Sequence, residues 1–232
     1  MAEPSDRALC EGGFAFFGAI TASLSHELNN VLATVSQLAG LLDDQAQMAK
    51  QGHPLDLAKL ERATERIGAQ IERGERFVKQ LNRFAHGADH PLASLDGRLA
   101  VEEVLALCER FYRSRKVSLQ GTLPEAPLVL FTRPFEFRHA VYRCLEIALA
   151  TAAAGSTVRA ELRPQADGVR LEVSGENPLD PNSPSNLPRN PLALLGMLAG
   201  TLGAVVESTV ESGKPVRLVL FVGSNPHEAG TP

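Results

Sequence analysis

The chain has 232 residues, 44% of them hydrophobic and 22% charged, and a formal net charge of −4. That length holds one domain plus a smaller element, or two small domains, with the composition of a soluble globular protein. The weak negative charge does not suggest a chain built to bind nucleic acid or an anionic membrane. Cys10, Cys108 and Cys144 are widely separated and odd in number, which fits a reducing compartment and predicts a cytoplasmic protein. Residues 1–11 are polar and acidic, unlike a signal peptide. The longest apolar run, residues 192–206, has about 15 residues where a membrane span needs roughly 20, so no membrane segment is expected.

Residues 1–13 are predicted to be disordered. Helical periodicity begins at Phe14 and continues to His86. Apolar or small residues recur at Phe17, Thr21, Leu24, Leu28, Val31, Val35, Leu38 and Leu42, with spacings of four and three in alternation. That is a heptad seam. Gly52, His53 and Pro54 break it, since Gly ends helices well and Pro starts them well. A second seam follows at Leu60, Thr64, Ile67, Ile71, Gly74, Val78, Leu81 and Ala85. The short turn makes residues 14–86 an antiparallel helical hairpin. Phe14, Phe16, Ile20, Leu32 and Leu41 widen its apolar face. Two helices cannot enclose a core, and a second copy covers the face most simply. A homodimer closed by a four-helix bundle is therefore expected.

Residues 87–97, with Gly87, Pro91 and Gly97, are predicted to be a linker. Residues 98–223 alternate helix-like and strand-like segments. Helices are expected at 98–115 and 135–153, and again up to Leu202. Strands are expected at 117–120, 128–131, 157–163, 169–174, 204–210 and 216–222, the last two joined at Gly213. Cys144 falls on the apolar side of its helix, as a buried small hydrophobe. The strands near 160 and 171 alternate apolar with polar residues, as in a sheet with one solvated face. The fold class is α+β, with helices on one face of a sheet. Residues 175–191 form a proline-rich loop, and residues 224–232 a flexible tail.

His26 lies in Ser23-Leu24-Ser25-His26-Glu27-Leu28-Asn29-Asn30. It sits midway between the seam positions Leu24 and Leu28, which places it on the solvent side of the helix. Asn30, four residues on, shares that face, and Glu27 and Asn29 flank it. An exposed imidazole is reachable by another protein's active site. A neighbouring carboxylate can hydrogen-bond one ring nitrogen and leave the other nucleophilic. An amide one turn away can position a water.

This segment, with Val31-Leu32-Ala33-Thr34-Val35 after it, resembles the H-box of the two-component sensor histidine kinases. Residues 76–84 resemble the end of that family's second dimerisation helix, and residues 98–223 resemble its ATP-binding (Bergerat) α/β sandwich. The resemblance implies that His26 carries a phosphoryl group, that Glu27 acts as general base or acid, and that Asn30 supports dephosphorylation of a response regulator. The family's ATP site has an Asn-rich helix for Mg²⁺, an Asp-x-Gly-x-Gly turn for adenine and a Gly-rich lid. Here Arg143 and Ile147 fall at the two Asn positions. The turn reads Ser174-Gly175-Glu176-Asn177-Pro178-Leu179, and the lid carries Pro181, Pro184, Pro188 and Pro191. Proline has no N–H for a phosphate cradle.

A kinase-like bundle with a degenerate ATP domain resembles the ChpT-type histidine phosphotransferases. These take a phosphoryl group from one response-regulator aspartate and pass it to another. On this reading no cofactor is bound tightly, Mg²⁺ comes from the partner receiver domain, and the partners are receiver domains and a second copy of the chain. Facing residues on the second helix, Arg73, Arg76 and Phe77, lie where a receiver would dock. Two other readings stay open. One is a kinase that autophosphorylates His26 through a divergent ATP site. The other is a non-catalytic dimer that binds a response regulator, with phosphatase action through Asn30.

Overall fold

The computed structural model describes residues 4–87, 89, 91–178, 191–211 and 214–223. The expected join at Gly213, most of the proline-rich lid and the tail 224–232 lie outside these residues. The chain divides into two compact units. One is Ala19–Ala85, and the other combines the residues before Ala19 with those from His86 onward.

The first unit is the helical hairpin of α1 (Pro4–Lys50), from Ala19 on, and α2 (Leu57–His86). The end of α1 is a glycine cap. Gly52 adopts φ 88°, and the Gly52 and His53 amides donate to the carbonyls of Ala49 and Met48 at 3.0 and 3.1 Å. These bonds satisfy carbonyls that the helix itself leaves open. Pro54 does not start α2. Asp56 does, by accepting the Lys59 amide at 3.0 Å, as N-cap residues do.

From Thr21 on the α1 seam lies where its spacing put it, whereas Phe17 is 40% exposed. Leu24, Val31 and Leu38 are buried, and Leu28, Val35 and Leu42 are half-buried. The α2 seam is corrected. Leu60, Ile67, Gly74 and Leu81 face inward, but their companions are Ala63, Phe77 and Phe84, three residues on rather than four. Thr64 and Ala85 are exposed, as are Ile71 (51%) and Val78 (45%). A Cβ on Gly74 would stand 3.4 Å from Val31 Cγ1. The helical stretch Ser5–Lys50 contains an 18-residue window of mean hydropathy 1.3, long and apolar enough by length and composition alone to cross a membrane, a test that the core helix of a soluble protein also passes. A window average counts the Ala, Gly and Thr that interrupt an apolar run.

In the second unit, β1 (Ala93–Asp96) precedes α3 (Gly97–Ser114), β2 (Ser118–Thr122), β3 (Val129–Thr132) and α4 (Pro134–Thr151). Then follow β4 (Thr157–Gln165), β5 (Gly168–Gly175), α5 (Pro191–Leu202), β6 (Val205–Thr209) and β7 (Arg217–Gly223). Among the described residues the main sheet has the order β2-β4-β5-β7-β6. The β2–β4 pair is parallel and the others antiparallel. Val158, Ala160, Leu162, Val169, Leu171, Val173, Leu218 and Leu220 join the helices in one core. The opposite face carries ion pairs such as Arg217–Glu172 at 2.7 Å. Helices therefore cover one face of the sheet, as expected. Cys144 and Cys108 are buried in the core, and that burial pushes both thiols upward.

Two expected boundaries change. Residues 87–97 are not a plain linker, because β1 pairs with β3. Asp96 also accepts the Arg98 and Leu128 amides at 3.0 and 3.1 Å, which caps α3. Nor are residues 4–13 a disordered lead, since α1 begins at Pro4 and its first turns pack into this unit. Leu9 lies against the core. Phe16, 2% exposed, stacks on His139 with ring centroids 4.7 Å apart and planes at 2°. Phe135 and Tyr142 flank it at 5.5 and 5.0 Å. A Cβ on Gly12 would lie 2.6 Å from Leu194 Cδ2, so the end of the Leu194 side chain would have to move to admit one. The polar side chains of residues 1–11 mask this apolar stripe in the sequence.

Burial, with Arg143 nearby, pushes the His139 imidazole down to about 4. The unfolded chain then binds a proton that the folded chain refuses. Stability held by neutral His139 is full above about pH 6.5 and is lost as pH falls through about 4. The shift corresponds to about 3 kcal/mol. Urea unfolding from pH 7 to 4 is expected to show this acid limb in the natural chain. A His139→Phe variant, which keeps a ring against Phe16, is expected to lack it.

Candidate functional site

The hairpin presents His26 as the seam requires. Ser23 and Leu24 are buried, while Ser25, His26, Asn29 and Asn30 are exposed. One turn of helix separates His26 from Asn30, and the Asn30 amide reaches the ring, with Nδ2 3.1 Å from His26 Nδ1. The Asn30 carbonyl in turn accepts the Thr34 hydroxyl at 2.9 Å. Glu27 does not bond the ring. One residue on, it is turned about 100° around the helix, toward α2, where its Oε2 accepts from Arg73 Nη2 at 2.8 Å. The Arg73 guanidinium also lies over the Phe77 ring, 5.4 Å from its centroid. The expected carboxylate on the imidazole is thus replaced by an amide.

That exchange has chemical content. A neutral imidazole is a nucleophile at Nε2 only when Nδ1 carries the proton. If Asn30 Nδ2 donates to Nδ1, the ring proton sits on Nε2 and the nucleophile is blocked. If the amide turns so that Oδ1 accepts from Nδ1–H, the Nε2 lone pair is free. A carboxamide can do either, and a carboxylate only the second. The Arg73–Glu27 pair was not foreseen as a pair. Its signal in the sequence was faint: two opposite charges on helices whose register a short turn only partly sets.

The family's nucleotide-binding positions lie in the other unit. Ile147 is 1% exposed and belongs to the core. Arg143 is buried and ion-paired with Glu146. The turn that would hold adenine is stitched into the sheet instead. The Gly175 and Glu176 amides donate to the carbonyls of Val216 and Thr157 at 3.0 and 3.1 Å, and the Asn177 carbonyl accepts the Ala153 amide at 3.1 Å. Glu176 pairs with Arg159. A cation and an aliphatic side chain are not ligands for Mg²⁺, which takes hard oxygen donors. These residues do not fit a magnesium–nucleotide complex.

No family model matches the chain. It is similar to the C4-dicarboxylate transport sensor protein DctB of Pseudomonas aeruginosa, 28% identical over 127 residues. That match covers 53% of this chain and 19% of that protein. A histidine kinase from Burkholderia phymatum STM815 superimposes with a TM-score of 0.50 at 17% identity, over 84% of this chain and 98% of that one. The catalytic domain of histidine kinase ThkA does so with a TM-score of 0.50 at 11% identity, over 60% and 99%. The fold is that of the histidine kinases, a helical region followed by an α/β sheet unit.

If the Asn30 amide sets the ring tautomer, Asn30→Ala changes the ratio of Nδ1–H to Nε2–H imidazole at His26. Asn30→Asp, an acceptor only when ionised, drives the ring toward Nδ1–H. Ring ¹⁵N shifts above the titration range measure both, and identical spectra for all three chains would refute the assignment.

Proposed function

We propose that the protein is a histidine phosphotransferase of a two-component phosphorelay, similar to the ChpT type. His26 takes a phosphoryl group from a response-regulator aspartate and hands it to another receiver domain. The observation that carries this reading is an exposed His26 with the Asn30 side-chain amide 3.1 Å from its Nδ1, which frees Nε2 for reaction once the amide turns its Oδ1 to Nδ1–H. The α4 residues, which do not suit a nucleotide, support a donor other than ATP.

In the forward step Nε2 attacks phosphorus in line. The N–P bond forms as the aspartyl O–P bond breaks, and the carboxylate leaves with the electron pair. The ring keeps its Nδ1 proton, shared with Asn30 Oδ1, and the second transfer reverses the step onto a new carboxylate. Mg²⁺, expected to arrive with the receiver, spreads the phosphoryl charge. Positioning does most of the work in such transfers. Three free cysteines fit action in the cytoplasm.

The working unit is a homodimer. Leu57 (66% exposed), Thr64, Ile71, Val78 and Ala85 recur every seventh residue along the outer side of α2. On α1, Leu32 is 64% exposed. A second hairpin covers such a stripe by coiled-coil packing. Charge in the stripe, as Ile71→Glu with Val78→Glu, is expected to give a monomer by sedimentation velocity where the natural chain sediments as a dimer.

The function itself is tested with receivers of the host phosphorylated by acetyl phosphate. Acid-labile phosphate is expected on His26 and is expected to vanish in His26→Gln. Label arriving on His26 from ATP alone would overturn the phosphotransferase reading in favour of a kinase. Faster receiver dephosphorylation without label, lost in Asn30→Ala, would instead mark a phosphatase.

A further inference from the structure

We infer that Arg73 is a positioning residue of the phosphoacceptor site, which holds the Glu27 carboxylate so that its charge does not oppose a phosphoryl group on His26. The inference rests on reading His26 as the acceptor.

The pair joins α1 to α2, with Arg73 Nη2 and Glu27 Oε2 2.8 Å apart. It is not an ordinary surface contact. The Glu27 side chain is 18% exposed and that of Arg73 43%. Phe77, one turn after Arg73, backs the guanidinium. Cation–π contact of this kind limits the freedom of the cation, and a planar guanidinium holds its direction better than an ammonium does.

The electrostatic case follows from sequence adjacency. Glu27 is the residue next to His26, so its carboxylate stands within one side-chain length of the reacting ring whatever its rotamer. A transferring phosphoryl group brings about two negative charges. An unpaired carboxylate beside it raises the barrier to attack and weakens the N–P product. Half-buried charges are little screened, so the repulsion is felt. Arg73 cancels the Glu27 charge and keeps that carboxylate turned toward α2, away from the imidazole that Asn30 occupies. In this arrangement Glu27 is not a free base. It is the anchor that holds Arg73 beside the site, and the pair is close to neutral when the dianion arrives.

The test uses potassium phosphoramidate as donor to the full-length chain, with phosphohistidine followed by ³¹P NMR. The phosphoramidate P–N bond breaks as ammonia leaves and the His26 N–P bond forms, so no receiver is required. Arg73→Ala is expected to slow labelling of His26 on the order of tenfold, and Arg73→Lys to restore most of the rate. In a Glu27→Gln background, Arg73→Ala is expected to change the rate little, because no carboxylate remains to be offset. Equal slowing in both backgrounds would mean that Arg73 only supports the hairpin and would overturn the inference. So would an unchanged rate in Arg73→Ala, or no labelling of His26 at all. Failure of receivers to label His26, with these phosphoramidate results intact, would sink the phosphorelay reading alone.

Discussion

The turn of one helix decides what reaches His26. At 3.6 residues per turn, the residue four places on stands above the imidazole, and the residue one place on points elsewhere. Asn30 therefore meets Nδ1, and Glu27 meets Arg73 on α2. The seam that buries Leu24 and Val31 imposes both directions at once, because a helix that buries one face has no choice about the others. The chemistry proposed for His26 depends on this division. An amide manages the ring proton, and an ion pair disposes of the nearest negative charge.

The α/β unit has kept the packing of its fold and changed the polar positions. Ile147 adds to the core, where the resemblance expects an amide. Arg143, buried, turns its charge to Glu146. The segment from Ser174 to Pro178 spends its backbone groups on Val216, Thr157 and Ala153, so they are not left for a ligand. Each of these positions makes an internal contact. The unit retains a core of helices on one face of a mixed sheet, a layered arrangement that needs no ligand to bury its apolar surface. Its N-terminal helical turns add to that core through Phe16, whose stack on His139 buries an imidazole that resists protonation.

Much of this was legible in the residues. The heptad on α1, the helix break at Gly52, the alternation in β4 and β5 and the exposed setting of His26 all follow from local spacing, and spacing is written in the chain. The second seam was not legible in full. Choosing Ala63, Phe77 and Phe84 over Thr64, Ile71 and Val78 as inward companions requires knowing which side of α2 packs on α1, and only tertiary packing settles that. Residues 4–13 were misread as disordered because their polar neighbours hid Leu9 and Gly12. These make sense only against α4 and α5, which lie more than a hundred residues further on.

The sequence alone determined which histidine stands exposed on the hairpin and which residue types occupy the α4 and Ser174–Pro178 positions. Both depend on residue type at fixed spacing along one helix or turn. Only the tertiary structure decided the partners: Asn30 rather than Glu27 on the ring, Arg73 on Glu27, and Phe16 on His139. Two of these three join residues distant in the chain, and a hydrogen bond or ring stack exists only once packing brings its two ends within a few ångströms. The third is local, yet it was settled only when Glu27 found a better partner across the hairpin.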